Sequence, residues 1–312
     1  MSKTTVAVIF GGCSSEYEIS LLSASSIIRN IPKDKYEIIM LGITKEGHWL
    51  LFKGDVDEIE NGTWEQHSEN RTAFLSPDRG IHGIVMETEY GFSAIRIDVI
   101  FPVLHGKNGE DGTIQGLFQL SGIPFVGCDT LASAVCMDKA VTNILLEAAG
   151  IDQANFMWFY ASDYENVKEQ VKEDKKIVIE ECIVGKEVEC AVMGNAIPKV
   201  SVVGEIAPSA EFYDYEDKYK NGTSKVYIPA PLDDELSAEI CNTAAKAYRA
   251  LGCSGLSRVD FFVRDSDNAI LLNEINTLPG FTSISMYSML WKACGIDYGH
   301  LLDHIIQFAF DK

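Results

Sequence analysis

The chain has 312 residues, 46% of them hydrophobic, and a mean hydropathy near zero, which is ample apolar material for one large or two to three compact domains. With 26 basic against 46 acidic residues the formal net charge is −20, which argues against a nucleic-acid groove or an anionic membrane surface as partner. No stretch is apolar for long enough to span a bilayer, the N-terminus carries no secretory signal pattern, and the eight cysteines show no C-x-x-C pairing, so buried free thiols in a reducing cytoplasm are expected.

In chain order, TVAVIF followed by GGCSSEYEISLLSASSIIRNI reads as strand, tight turn and helix, with Ser15 and Glu18 spaced as a capping box. YEIIMLGITKEGHWLLF continues with strands. IDVIFPVLHG is a buried strand that runs into the Gly-rich HGKNGEDGTIQG, a turn and cap for the helix IQGLFQLSG, and IPFVGC reads as a short strand. Residues 1–128 therefore form an open α/β domain, with ligand-binding loops expected at strand C-terminal ends. Helices dominate residues 129–150. ENVKEQVKEDKK reads as a charged helix and IVIEECI as a strand. VECAVMG and KVSVVGEI are strands, a long polar loop with an Asn221-Gly222 tip follows, then the helix DDELSAEICNTAAKAYRALG and the strands SRVDFFVRD and AILLNEIN, joined by the turn signal DSDN.

The last two strands carry the chemistry. Side chains alternate along a strand, so Glu274 and Asn276 share one face, and so do Arg258 and Asp260. If the strands pair as a hairpin, Asp260, Glu274 and Asn276 converge beside an arginine. Hard oxygen donors of that kind suit magnesium holding phosphates, because magnesium takes a few carboxylates and completes its shell with substrate oxygens. A surface hairpin with solvated charges is the bland alternative, but these acids follow strongly apolar residues, which favours a metal.

GCSGLSRVDFF with NEINTLPGFTS, VIFGGCSSEYEIS, HGKNGEDGTIQG, VGCDTLASAVCMDK and FYDYEDKY occur in an order that resembles the D-alanine–D-alanine ligases and their vancomycin-resistance relatives, over nearly the whole chain. The resemblance implies an α/β protein of the ATP-grasp fold. Its N-terminal open α/β (Rossmann-like) substrate domain would span residues 1–128, a central lid region 129–190, and a C-terminal ATP-grasp catalytic domain 191–312. It also implies a cytoplasmic, homodimeric enzyme of peptidoglycan precursor synthesis that uses ATP and magnesium, with manganese as an alternative. Such an enzyme phosphorylates the carboxylate of D-alanine, and the amine of a second D-amino acid attacks the acyl phosphate.

By the same resemblance Asp260, Glu274 and Asn276 hold the metal, while Arg258 and the Gly280 N–H stabilise the oxyanion. Glu16 binds the ammonium of the first D-alanine; by itself an acid there would merely complement a helix dipole. Lys139, Glu180 and Glu187 meet the nucleotide, with Glu181 where many relatives carry lysine. Ser283 and Ser285 meet the second substrate, and Lys218 and Tyr219 lie on a loop that closes over the reaction and excludes water. Tyr17 resembles the D-alanine–D-serine subgroup, whereas Met286 stands where that subgroup tends to carry a basic residue. Between residues 150 and 180 the family's glycine-serine loop and its strand ending in Lys-Pro are not found, so the lid is expected to be incomplete. A true deletion would leave a non-catalytic ligand-binding or structural remnant; the clean joins on both sides favour a mobile lid segment that the 312 residues omit.

Overall fold

The computed structural model describes residues 3–163, 176–207 and 225–312. The N-terminal part is built on one sheet whose strands are β1 (Thr4–Gly11), β2 (Tyr36–Ile43), β3 (Trp49–Phe52), β4 (Arg71–Leu75), β5 (Gly83–Thr88), β6 (Gly91–Arg96) and β7 (Val99–Val103). Their order is β6-β5-β4-β3-β2-β1-β7, with β1 parallel to both β2 and β7 and the remaining pairs antiparallel. The helices of this part are α1 (Tyr17–Asn30), α2 (Val56–Glu60) and α3 (Thr113–Ser121). The apolar run of β1 follows from burial on both faces. Val6, Val8 and Phe10 pack with Leu21, Ala24 and Ile27 of α1, and Ala7 and Ile9 share the opposite core with Ile114 and Phe118 of α3.

α4 (Thr130–Met137) and α5 (Lys139–Ala148) follow, then β8 (Phe156–Tyr160) and β9 (Lys176–Glu180), which pair antiparallel as a separate two-stranded sheet. The C-terminal sheet contains β10 (Gly185–Gly194), β11 (Lys199–Ala207), β12 (Lys225–Tyr227), β13 (Gly255–Arg264) and β14 (Ile270–Asn276) in the order β12-β11-β10-β13-β14, all antiparallel. Its helices are α6 (Asp234–Ala250), α7 (Met286–Ala293) and α8 (Tyr298–Phe310). One face, with Val188, Cys190, Val259, Phe261 and Ile275, packs on Ile240, Ala244 and Tyr248 of α6. By alternation the polar residues of β13 and β14 face the other way. The domain boundary expected at 190/191 falls inside β10.

Several local expectations fail for identifiable reasons. The Ser15–Glu18 capping box is not formed: α1 begins at Tyr17, its N-cap Glu16 makes no side-chain cap, and Glu18 pairs with Lys45 instead. A true capping box closes α2, between Asp55 and Glu58. IPFVGC forms only a single parallel bridge, Ile100 to Phe125, because Pro124 has no N–H to extend a ladder and Gly127, at φ +96°, turns the chain away. The charged helix expected from ENVKEQVKEDKK lies outside the described residues except for Lys176, which opens β9. All eight cysteines are free, with Cys128, Cys190 and Cys253 buried and Cys13, Cys182 and Cys294 exposed. Among the described residues no helix is long and apolar enough to cross a membrane.

The two halves are clamped by His105. Its Nδ1 donates to the Leu278 carbonyl at 3.1 Å and its Nε2 accepts from the Ser23 hydroxyl at 3.2 Å, while the Ser23 oxygen accepts from the Phe281 N–H at 3.4 Å. Burial pushes the His105 pKa down to about 4, so the ring is neutral in the folded protein. An unfolded histidine takes up its proton near pH 6.5, so this contribution is complete above that pH and is lost as pH falls from about 6.5 towards 4. Between pH 7 and 5 the loss should be about 2 kcal/mol. Urea unfolding of wild type and His105→Gln at the two pH values checks this: the variant should show the smaller pH dependence, and equal pH dependence would contradict it.

Candidate active site

The register of the C-terminal sheet assembles the polar face. Glu189 on β10 lies opposite Asp260 on β13, which lies opposite Glu274 on β14, and Arg258 lies opposite Asn276. Residues directly opposite each other in an antiparallel pair point to the same side, so three acids stand in a row across three strands with the arginine beside them. Arg258 holds Asp260 side-on, Nε to Oδ1 and Nη2 to Oδ2, each at 2.7 Å, and its Nε is 3.1 Å from Glu189 Oε2. Burial alone would lower the Arg258 pKa, but the charges of Asp260 and Glu189 override it and hold the group well above its ordinary value.

Asn276 ties the expected metal ligands together. Its Nδ2 lies 3.2 Å from Asp260 Oδ2 and 3.1 Å from Glu274 Oε1. Among the described residues no three His, Cys, Asp or Glu side chains form a ready metal cluster. The donor set here is instead two carboxylates and an amide on one strand pair, and turning the amide would present its oxygen to the point between the acids. Two carboxylates held one amide apart, with phosphate oxygens to complete the shell, fit magnesium.

A register shift after Asp260 leaves Asn273 as an extra residue on β14. The bulge re-aims the strand, and the Asn273 Oδ1 accepts from Lys139 Nζ at 2.9 Å. Lys139 opens α5 behind the N-cap Asp138 and also pairs with Glu180 of β9. Lys176 of β9 pairs with Asp138, the neighbour of Lys139, and lies 5.6 Å above the Trp158 ring. Glu187 is half-buried on β10, opposite Phe262 and Ile206.

Two cavities flank the row of acids. One, of about 130 Å³, is lined by Glu110, Cys136, Lys139, Glu274 and Asn276. The other, of about 280 Å³, is lined by Glu189, Arg258, Gly280, Thr282, Ser285 and Met286, with Ile19, Leu22 and Ile206 as apolar wall. Ser285 is the N-cap position of α7 and its hydroxyl accepts from the Thr282 N–H at 3.0 Å. Ser283 is exposed and does not line this cavity, whereas its neighbour Thr282 does. The Gly280 N–H has no acceptor among the described residues. Lys218 and Tyr219 lie outside the described residues. Tyr17 turns away from both cavities: its hydroxyl donates to Glu65 at 2.5 Å and accepts from Trp64 Nε1 at 2.9 Å.

Glu110 was not singled out by its sequence context. It is half-buried where the loop after β7 reaches the C-terminal sheet, and Gly106 N–H donates to it at 2.6 Å. Burial raises its pKa to about 8, opposed by that N–H, and the charges of Glu16, Arg258 and Glu274 all bear on it. Glu16 therefore stands beside the same cluster. Gly106 sits at φ +71°, where an L side chain is strained, and a Cβ there would also press on Ser14 Oγ and Glu16 Oε1.

Comparison with known proteins defines first the class. The structure of the VanG D-Ala:D-Ser ligase from Enterococcus faecalis superposes with a TM-score of 0.88 at 39% identity, covering 99% of this chain and all of that one. The Bacillus anthracis D-alanine–D-alanine ligase complexed with ATP gives a TM-score of 0.73 at 27% identity, covering 99% of this chain and 98% of that one. The architecture is thus that of an ATP-grasp ligase. Family models for the D-ala D-ala ligase N-terminus and C-terminus match residues 5–128 and 162–307. The D-alanine–D-alanine ligase of Acetivibrio thermocellus is 45% identical over 99% of this chain and 96% of its own length. The chain belongs to the D-alanine–D-alanine ligase family and is an enzyme of that family. That alignment runs over 364 positions against the 312 residues here, so the relative carries some fifty positions without a counterpart in this chain.

Proposed function

We propose that the protein uses ATP to join D-alanine to a second D-amino acid through an acyl phosphate, making a dipeptide for peptidoglycan precursors. The observation that carries this reading is Arg258, buried beside Asp260, Glu274 and Asn276 and lining the cavity that Gly280 and Ser285 also line. Asp260, Glu274 and Asn276 would hold magnesium, which when bound neutralises phosphate charge. Lys139, Glu180 and Glu187 hold the nucleotide. Glu16 takes the ammonium of the first D-alanine. Arg258 and the Gly280 N–H are fixed donors for the oxygen that becomes negative when the acceptor amine adds to the carbonyl carbon. Ser285, with Thr282 and the exposed Ser283, meets the acceptor carboxylate, and Lys218 and Tyr219 close over the reaction. Free thiols fit a reducing cytoplasm. A homodimer, with substrate, lid and catalytic regions along the chain, completes the proposal. No observation favours a non-catalytic remnant.

The acceptor is D-alanine in preference to D-serine. Ile19, Leu22, Ile206 and Met286 make the cavity wall apolar, which suits a methyl group, and Tyr17, the sequence feature that resembles the D-serine subgroup, faces Glu65 and Trp64. An apolar pocket rejects an added hydroxyl by a factor of roughly 100 at most, so D-serine should still react. With equal D-alanine and D-serine, ATP and magnesium, mass spectrometry should find D-alanyl-D-alanine as the main product and the mixed dipeptide as the minor one. A dominant mixed dipeptide would overturn the preference, and no dipeptide the function.

A further inference from the structure

Among the acids of the row, Glu189 has no role in the chemistry above. It is 4% exposed, it lies directly opposite Asp260, and its Oε2 reaches the same Arg258 Nε that Asp260 Oδ1 reaches. One guanidinium is therefore served by two carboxylates. Withdrawing an acid from water costs several kcal/mol, so a second one is expensive unless it is needed when the first is not available.

Asp260 is subject to two demands. Both its oxygens are bonded to Arg258, Oδ1 to Nε and Oδ2 to Nη2. A divalent cation between Asp260 and Glu274 needs at least one of those oxygens. Turning Asp260 to the cation would leave Arg258 to swing with it or lose its orientation. Glu189 is placed to prevent this: it approaches the shared Nε from the neighbouring strand and lines the cavity of Gly280 and Ser285, whereas Glu274 and Asn276, the partners of Asp260, line the other. We propose that Glu189 is a positioning residue that keeps the Arg258 guanidinium on the Gly280 side when Asp260 turns to a bound divalent cation. This role rests on the proposed cation site at Asp260 and Glu274.

The test measures cation binding as well as turnover. Mn²⁺ is titrated into protein saturated with the unreactive ATP analogue AMP-PNP, and free Mn²⁺ is read by electron paramagnetic resonance. In Glu189→Gln the cation must compete with a guanidinium that has Asp260 as its only carboxylate, so Mn²⁺ should bind about tenfold or more weakly, with kcat lowered. Glu189→Asp, which keeps the charge, should recover part of the affinity, and it is read in the same way should Glu189→Gln not fold. In an Arg258→Met background the Glu189→Gln change should shift Mn²⁺ binding no further, because the group through which it acts is gone. A shift that persists there reflects only a lost negative charge and overturns the role. Unchanged Mn²⁺ binding in Glu189→Gln beside weakened binding in Asp260→Asn also overturns it, leaving a structural ion pair. Unchanged binding in Asp260→Asn overturns the cation site itself.

Discussion

Asp260→Asn and Glu274→Gln are each expected to lower turnover by roughly a thousandfold or more while leaving the protein folded. A bound cation contributes several kcal/mol of charge stabilisation, and each 1.4 kcal/mol is about a factor of ten in rate. The fold should survive because the core of the sheet lies on its other face, where Val259, Phe261, Leu272 and Ile275 pack against α6. Both changes keep side-chain volume, and the Asn oxygen can still accept from Arg258, which retains Glu189. Steady-state kinetics at saturating magnesium, with thermal unfolding alongside, separates the two effects. Near wild-type turnover in either variant would contradict the metal assignment.

Arg258→Ala should be costly in both stability and rate. Its removal leaves Glu189, Asp260 and Glu274 in adjacent register with no cation among them, and breaking a buried ion pair from one side costs about 3–5 kcal/mol. Loss of an oxyanion donor should lower kcat by roughly 100- to 1,000-fold. The row of acids makes a further difference measurable: magnesium added to the variant restores a positive charge, so it should raise the unfolding temperature of Arg258→Ala more than that of wild type. Equal magnesium effects on the two proteins would contradict the view that these acids share one electrostatic site.

The hairpin of β13 and β14 was legible because period-2 alternation and the DSDN turn are local signals, and the observed register puts Asp260 opposite Glu274 as that pattern requires. Glu189 was within reach of the same rule, since it lies two residues from Glu187 on the same face of β10. Asn273 left a trace as well: two consecutive polar residues, Asn273 and Glu274, break the alternation that Glu274, Ile275 and Asn276 keep, which is how a bulge reads. Glu110 left none. Its burial and raised pKa come from the packing of the loop after β7 against the C-terminal sheet, a contact between residues more than 140 positions apart. The His105 clamp joins Ser23, Leu278 and Phe281 for the same reason and was equally hidden. The misread capping box shows the opposite failure, a correct motif in which the helix starts one residue later and Lys45 captures the glutamate.

Formation of an acyl phosphate at this site is tested most directly by following oxygen. When the D-alanine carboxylate attacks the γ-phosphorus of ATP, one carboxylate oxygen becomes the bridge to phosphorus and ADP leaves. Attack by the acceptor amine then breaks the carbon–oxygen bond, the amine loses its proton, and the bridging oxygen departs with phosphate. With D-alanine labelled with ¹⁸O in its carboxylate, ATP and magnesium, the inorganic phosphate released should carry one ¹⁸O for each dipeptide formed. Dipeptide accompanied by unlabelled phosphate would contradict the mechanism, as would phosphate release that does not require D-alanine.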